Sequence, residues 1–460
     1  MAFKKSKSNS LGIVLGIVVV IVVIVVAYLY LSPAFEQNKP TVEVNKNIYW
    51  NLKSKVKIVL KDDSGIKYYK VTFKDGTKDI VLAQNVMSKS QKEIILNVEP
   101  PKLDMFYKGT DTSLEVEVVD NSKWNFLEGN STIENISIKI DTKKPIANVI
   151  GNSRYIQRGG SGVVVVKVDD ENLKEAYITF NDVQNYRLLP YHKENYYLAL
   201  VAWPMDIDSF SRVNLVVTDK ADNKTITKVP FYIQKKTVKS DKITLSKNFI
   251  ENVSVNVLEQ SFEEVPENLK DIFVYSNVTL RDKNIKTMEQ AVLDNLDYST
   301  LIDRFDIKAF KRLRGSKTVA QYGERRHYYL DGEKINEAWH LGIDWASVKK
   351  APIRVTNAGK VIFKSYLGLY GNSIIVDHGM GLSTLYAHTS SQTVEVGETV
   401  SSNSKIAHTG STGAVFGDHL HFGVLIQGVE VNPIEWMDRN WIKVRITDVL
   451  NKAKLDIDGK

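Results

Sequence analysis

The feature that most constrains this chain is an uninterrupted apolar run near its start. Leu11–Leu31 carries no charge and is dominated by Val and Ile. As a helix it would extend roughly 30 Å, the thickness of a bilayer's hydrocarbon core. The run is too long for the apolar region of a cleaved signal peptide and lacks an Ala-x-Ala-like exit, so it reads as a transmembrane helix. Lys4, Lys5 and Lys7 precede it, and the positive-inside tendency keeps residues 1–10 in the cytoplasm. The expected topology is a single-pass cytoplasmic (inner) membrane protein, with everything from Ser32 onward in the periplasm or extracytoplasmic space.

Beyond the anchor, 460 residues are too many for one core, and domain sizes suggest about three domains. The net charge of +7 is modest and the lysines are scattered, which argues against a nucleic-acid partner. With no cysteines, any metal must be held by His, Asp and Glu. Residues 42–236 carry short alternating patterns such as Val56-Lys57-Ile58-Val59-Leu60 and Leu114-Glu115-Val116-Glu117-Val118, separated by Asp, Asn, Gly and Pro turns. A weak repeat aligns Asp62-Asp63-Ser64-Gly65-Ile66-Lys67 with Asp169-Asp170-Glu171-Asn172-Leu173-Lys174, a period of about a hundred residues, the size of a β-sandwich. The pattern resembles tandem bacterial immunoglobulin-like domains, here 42–144 and 145–236, which read as a stalk. His192 lacks a metal-spaced partner and reads as a surface histidine.

Residues 237–315 form a connecting segment. Leu269, Ile272, Phe273, Leu280, Ile285, Met288 and Val292 recur at three-and-four spacing, which predicts helices packed between stalk and C-terminal domain; the sharper alternative is a lid over the site that follows. From 316 to 440 the chain reads as antiparallel strands, including Lys360-Val361-Ile362-Phe363, Ser373-Ile374-Ile375-Val376-Asp377 and Val394-Glu395-Val396-Gly397, with closely spaced glycine turns. Residues 441–460 read as a tail. The expected fold class is mainly β and multidomain.

The chemistry lies in residues 339–422. Trp339-His340-Leu341-Gly342-Ile343-Asp344 opens this stretch, Asp418-His419-Leu420-His421-Phe422 closes it, and Tyr386-Ala387-His388 lies between. Residues two apart on a strand share a face, so His419 and His421 point into one site while Leu420 and Phe422 enter the core. Zinc takes about three protein ligands and an open position for hydrolysis, and imidazole with carboxylate suits it; His340, Asp344 and His421 can supply that set. His378 reads as a turn residue, and His408 and His327 as structural or surface. The glycine-rich turn at residues 410–413 lacks the Gly-Lys-[Ser/Thr] of a phosphate loop and reads as one wall of a peptide groove.

These motifs resemble the M23 zinc metallopeptidases, the lysostaphin and LytM-type endopeptidases of bacterial peptidoglycan, over about residues 320–437. The resemblance implies Zn2+ held by His340, Asp344 and His421, with His388 and His419 catalytic beside it. It implies cleavage of peptide cross-links or stem peptides of peptidoglycan during cell-wall remodelling. Two alternatives are a carboxypeptidase using the same centre and a LytM-like regulator of cell-wall amidases. No His-Glu-x-x-His occurs, so a glutamate base has no counterpart. Either His388 or His419 orients or deprotonates the water, while the other donates to the oxyanion.

Overall fold

The computed structural model describes residues 10–103, 112–235 and 237–460. Lys4, Lys5 and Lys7, on which the expected orientation of the anchor rests, lie outside the described residues, as does Lys236. The chain divides into two units, one of residues 1–144 with 219–223, the other of residues 145–218 with 224–460.

In the first unit the apolar run forms one helix, Ser10–Leu31. No part of its apolar window is buried, so none of the described residues covers its Val and Ile side chains. Ser32 caps the short turn Pro33–Phe35 that follows. The rest is a six-stranded sheet built on two very long strands, Val56–Lys74 and Asp79–Val98. The leading half of Val56–Lys74 pairs with Thr41–Glu43 and the trailing half with Thr112–Asp120. Between the halves the register slips, from Lys61 to Ile66. Gly65 supplies a left-handed φ of 86° there, and its Cβ would collide with Ser90. The sheet thereby bends around its own core of Trp50, Ile58, Leu60, Phe73, Val116 and Ile136. Strand Thr112–Asp120 alternates buried and half-buried residues along its length, as its period-two sequence requires.

The second unit begins with two four-stranded sheets, one containing Ile146–Asn152, Ser161–Asp169 and Tyr196–Ala202, the other Leu173–Phe180 and Val213–Asp219. The repeated aspartate segment falls differently in the two modules, at the register slip inside Val56–Lys74 in the first and at the turn between Ser161–Asp169 and Leu173–Phe180 in the second. Strand Ser161–Asp169 is buried almost throughout, because its sheet is covered on both faces. The covering element is the C-terminal segment. Residues 441–460, expected as a tail, are helical, and Asp448–Asp458 lies on Ile146–Asn152 and Ser161–Asp169. Tyr191 Oη donates to the Leu450 carbonyl at 2.8 Å and Ser153 Oγ to that of Arg445.

One continuous core joins this module to the C-terminal sheet, running from Val164 and Leu200 to Trp345, Phe422 and Trp436. Trp436 Nε1 donates to Ser161 Oγ at 3.0 Å, and the side-chain amide of Gln427 makes paired hydrogen bonds to the backbone of Arg187. The second module is therefore built into the body that holds the histidines, where an independent stalk was expected. His192 is also more engaged than a surface histidine, with Nδ1 3.0 Å from Asp303 and Nε2 3.0 Å from Asp458.

The C-terminal sheet has eight strands. Its central order is Lys317–Ala320, Ile343–Ala346, Leu420–Ile426, Leu382–Ala387, Asn372–Asp377, Gly359–Tyr366 and Thr399–Val400, with Val429–Val431 pairing with Leu420–Ile426. The expected strand at residues 394–397 is instead a turn: Glu398 N donates to the Glu395 carbonyl, and Gly397 is left-handed at φ 91°. Glycine's turn chemistry overrides a short alternating pattern there. The connecting segment is helical over residues 247–260 and 269–293. Leu269, Ile272, Phe273 and Leu280 pack with Tyr328 and Leu369, and Met288 and Val292 pack on Ile375, Leu385 and Leu425 of the sheet.

Candidate metal centre

The antiparallel register brings the two ends of the histidine-rich stretch together. Asp344 on Ile343–Ala346 lies directly opposite His421 on Leu420–Ile426, and His421 lies opposite Ala387 on its other side, so His388 follows immediately. Leu420 and Phe422 are buried in the core as the alternation requires, and Phe422 stacks on Trp345 at 5.0 Å. His340 arrives from the end of Glu333–Trp339, its amide donating to the Glu324 carbonyl.

The donors converge closely. Asp344 Oδ1 is 2.9 Å from His421 Nδ1, Asp344 Oδ2 is 3.1 Å from His340 Nε2, and the two imidazole nitrogens are 3.2 Å apart. All three residues are buried. Burial alone would raise the Asp344 pKa, but the imidazoles of His340 and His421 hold it well below the usual carboxylate range. Burial pushes His421 down to about 4, which keeps its ring neutral.

Backbone carbonyls fix which nitrogens are left for other work. His340 Nδ1 lies 2.8 Å from the Gln321 carbonyl, His388 Nδ1 2.9 Å from that of Thr412, and His419 Nδ1 2.8 Å from that of Gly417. A carbonyl only accepts, so each Nδ1 carries a proton, and Nε2 is the nitrogen that offers a lone pair in the neutral ring. This is the outer-shell arrangement that orients metal-binding imidazoles. The residues fit a zinc ion: two facing imidazole lone pairs and an ionised carboxylate would repel one another unless a cation or proton sat between them, and the set leaves a coordination position open. His388 and His419 stand beside the set, their rings 4.9 Å apart, with His419 Nε2 3.7 Å from Asp344 Oδ1. Burial first, then the neighbouring imidazoles, holds the His388 pKa well below its ordinary value. Its backbone is left-handed at φ 59°, a cost that residues at functional sites often carry.

All five residues line one cavity of about 550 Å³. The connecting helices form part of its wall through Phe249, Ser254, Phe273, Asn277 and Arg281, and Phe249 stacks on Phe416 at 4.4 Å. Sequence reasoning missed Arg326, whose guanidinium lies 3.7 Å from Asp344 Oδ2. It also missed Tyr370, which edges onto His421 and donates to Glu430 at 2.8 Å. Burial raises the Glu430 pKa to about 7. The remaining histidines lie outside this cluster. His378 bonds the Ala358 carbonyl and Thr384 Oγ1, His408 bonds Ser391, and His327 pairs with Glu337. The turn at 410–413, read as a groove wall, also supplies the Thr412 carbonyl that holds His388.

Residues 338–433 match the family model described as Peptidase family M23. The chain carries an M23 peptidase domain. Over 119 residues this domain region is 37% identical to the DD-carboxypeptidase/endopeptidase Mpg of Neisseria meningitidis serogroup B, covering 26% of each protein. It is 34% identical over 132 residues to the murein hydrolase activator EnvC of Escherichia coli K12, covering 29% of each. A zinc-containing peptidase from Vibrio cholerae aligns in structure over 74% of this chain and 86% of its own, at 13% identity and a TM-score of 0.25. The aligned M23 region thus spans about a quarter of the length of the curated relatives it matches.

Proposed function

We propose that this chain is a membrane-anchored, zinc-dependent endopeptidase that cuts peptide cross-links or stem peptides of peptidoglycan outside the cytoplasmic membrane. The observation that carries the reading is the convergence of His340, Asp344, His421, His388 and His419 on one cavity. Each of the five keeps the donor or acceptor that hydrolysis needs. A domain acting only by binding partner amidases has no use for that set, so the endopeptidase reading stands ahead of the regulatory one.

In this reading His340 would hold zinc through Nε2, His421 through Nδ1, and Asp344 through its carboxylate. Bound zinc would polarise the scissile carbonyl and make water available as a nucleophile near neutral pH. His388, kept neutral by burial and tethered to the Thr412 carbonyl, presents Nε2 as a proton acceptor. His419, tethered to Gly417, stands on the same side and serves as the partner that orients water or donates to the oxyanion. The helix Leu11–Leu31 crosses the membrane with residues 1–10 inside.

Digesting purified sacculi with the full chain in detergent, with and without zinc, tests the proposal. Mass spectrometry is expected to find muropeptides whose peptide bridges are cut. Release of only terminal residues would select the carboxypeptidase reading. Intact sacculi together with stimulation of an added amidase would select the regulator.

A further inference from the structure

The loop of residues 121–130 in the first module carries aromatic and aliphatic side chains that the peptidase reading does not use. Phe126 is 97% exposed, Leu127 65% and Trp124 36%. Single exposed apolar residues are ordinary on a protein surface. Three within four positions of one hydrogen-bonded turn are not.

The turn is built to hold them out. Asn125, Phe126 and Leu127 are consecutively left-handed, with φ of 52°, 57° and 74°, a conformation that bulky side chains disfavour and that glycine or asparagine would fill in an ordinary turn. Hydrogen bonds from Glu128 N to the Asn125 carbonyl and from Gly129 N to the Trp124 carbonyl close it. Its base is fastened to the segment leaving the apolar helix. Lys123 N donates to the Ala34 carbonyl at 2.7 Å, while Ser122 Oγ and Asn130 Nδ2 both donate to the Glu36 carbonyl, at 2.5 and 3.0 Å.

Those contacts fix the loop's distance from the end of the apolar span. Ala34 is three residues beyond Leu31, within a single turn whose rise is about 2 Å per residue. The polar layer outside the hydrocarbon core is several ångströms deep, so the base of the loop falls at the bilayer surface whenever the helix spans it. Tyr28 and Tyr30, exposed at the same end of the helix, are residues that favour that layer. Lys67, whose Nζ donates to the Glu128 carbonyl, and Lys123 are offset by Glu128 in the loop and by Glu36, Asp62 and Asp120 at its base, so the contact rests on its apolar side chains alone.

We propose that residues 124–127 are a second, shallow membrane contact, in which Trp124, Phe126 and Leu127 enter the interfacial layer of the bilayer crossed by Leu11–Leu31. The proposal rests on the anchor reading of that helix. A rigid loop beside the helix exit would fix the first module against the membrane instead of leaving it to swivel on Ser32.

The chain has no cysteine, so Ile21→Cys, Phe126→Cys and Phe262→Cys can each carry a single nitroxide in the full chain. The chain is reconstituted in vesicles of equal parts phosphatidylethanolamine and phosphatidylglycerol, and collision with oxygen is compared with collision with a water-soluble nickel chelate. Oxygen should dominate strongly at 21 and moderately at 126, and the chelate at 262, where the parent side chain is 98% exposed. A label at 126 as open to the chelate as that at 262, with 21 still in lipid, overturns the loop contact and leaves the anchor standing. A chelate-accessible label at 21 overturns both.

Discussion

Gly342 sits between His340 and Asp344 with no room for a side chain. A methyl group on it would lie 2.3 Å from His421 Nε2, 2.5 Å from Cε1 and 2.8 Å from the Phe422 carbonyl. Backbone and imidazole cannot both stay in place, so in Gly342→Ala the His421 ring must retreat by roughly 1 Å to reach ordinary contact. Zinc–nitrogen bonds are about 2.0–2.1 Å long and tolerate only about ±0.2 Å, so a retreat of that size removes one of three protein ligands. Perturbing the orientation of a metal ligand costs about 10–100-fold in affinity, and losing the ligand falls at or beyond the upper end, about 2.7 kcal/mol or more. Competition against a chelator of known affinity would measure the zinc Kd, with circular dichroism confirming the fold. Hydrolysis of sacculi should fall at least in parallel, because misplacement by 1 Å can itself cost about a hundredfold in rate. A Gly342→Ala protein that binds zinc within about threefold of wild type and hydrolyses at the normal rate would refute the assignment of His421 as a ligand.

His421→Ala should lose zinc together with hydrolysis, read by metal analysis of the purified protein. His388→Ala should keep stoichiometric zinc while turning over peptidoglycan on the order of a hundredfold more slowly; near-normal cleavage would remove His388 from the mechanism. Phe249→Ala removes the ring stacked on Phe416 at the cavity wall and should raise the rate on sacculi if the connecting helices restrict entry. His378 is held down to about 4 by burial, against roughly 6.5 unfolded. Its contribution is intact above the unfolded value and is lost as pH falls through that window, because the unfolded chain takes up the proton first. The difference in Tm between wild type and His378→Gln should therefore change between about pH 6.5 and 4 and stay flat above it.

Local patterns carried much of the fold. Alternation in Leu114-Glu115-Val116-Glu117-Val118 and in Leu420-His421-Phe422 reports a strand with one face in a core, and a three-and-four stripe reports Leu269, Phe273 and Leu280 on a helix. The histidine motifs stood out because a metal site needs particular side chains at particular spacings. What holds those histidines was hidden. The carbonyls of Gln321, Thr412 and Gly417 belong to the backbone, which every residue has, so no residue type marks them. Long-range partners were hidden for a related reason: His192 meets Asp303 and Asp458 across separations of 111 and 266 residues, and no local window contains both ends. The tail was misread because an amphipathic stretch as short as Asp448–Asp458 does not announce which sheet it will cover.

That last helix has a consequence for how the molecule is made. The sheet containing Ser161–Asp169 keeps one face open until residues 448–458 have been synthesised and have packed on it. A ribosome has by then produced the whole histidine cluster. The histidine-bearing sheet therefore shares a core with a helix that is made after it, and a chain truncated after residue 440 would hold all five site residues beside an uncovered valine-rich strand.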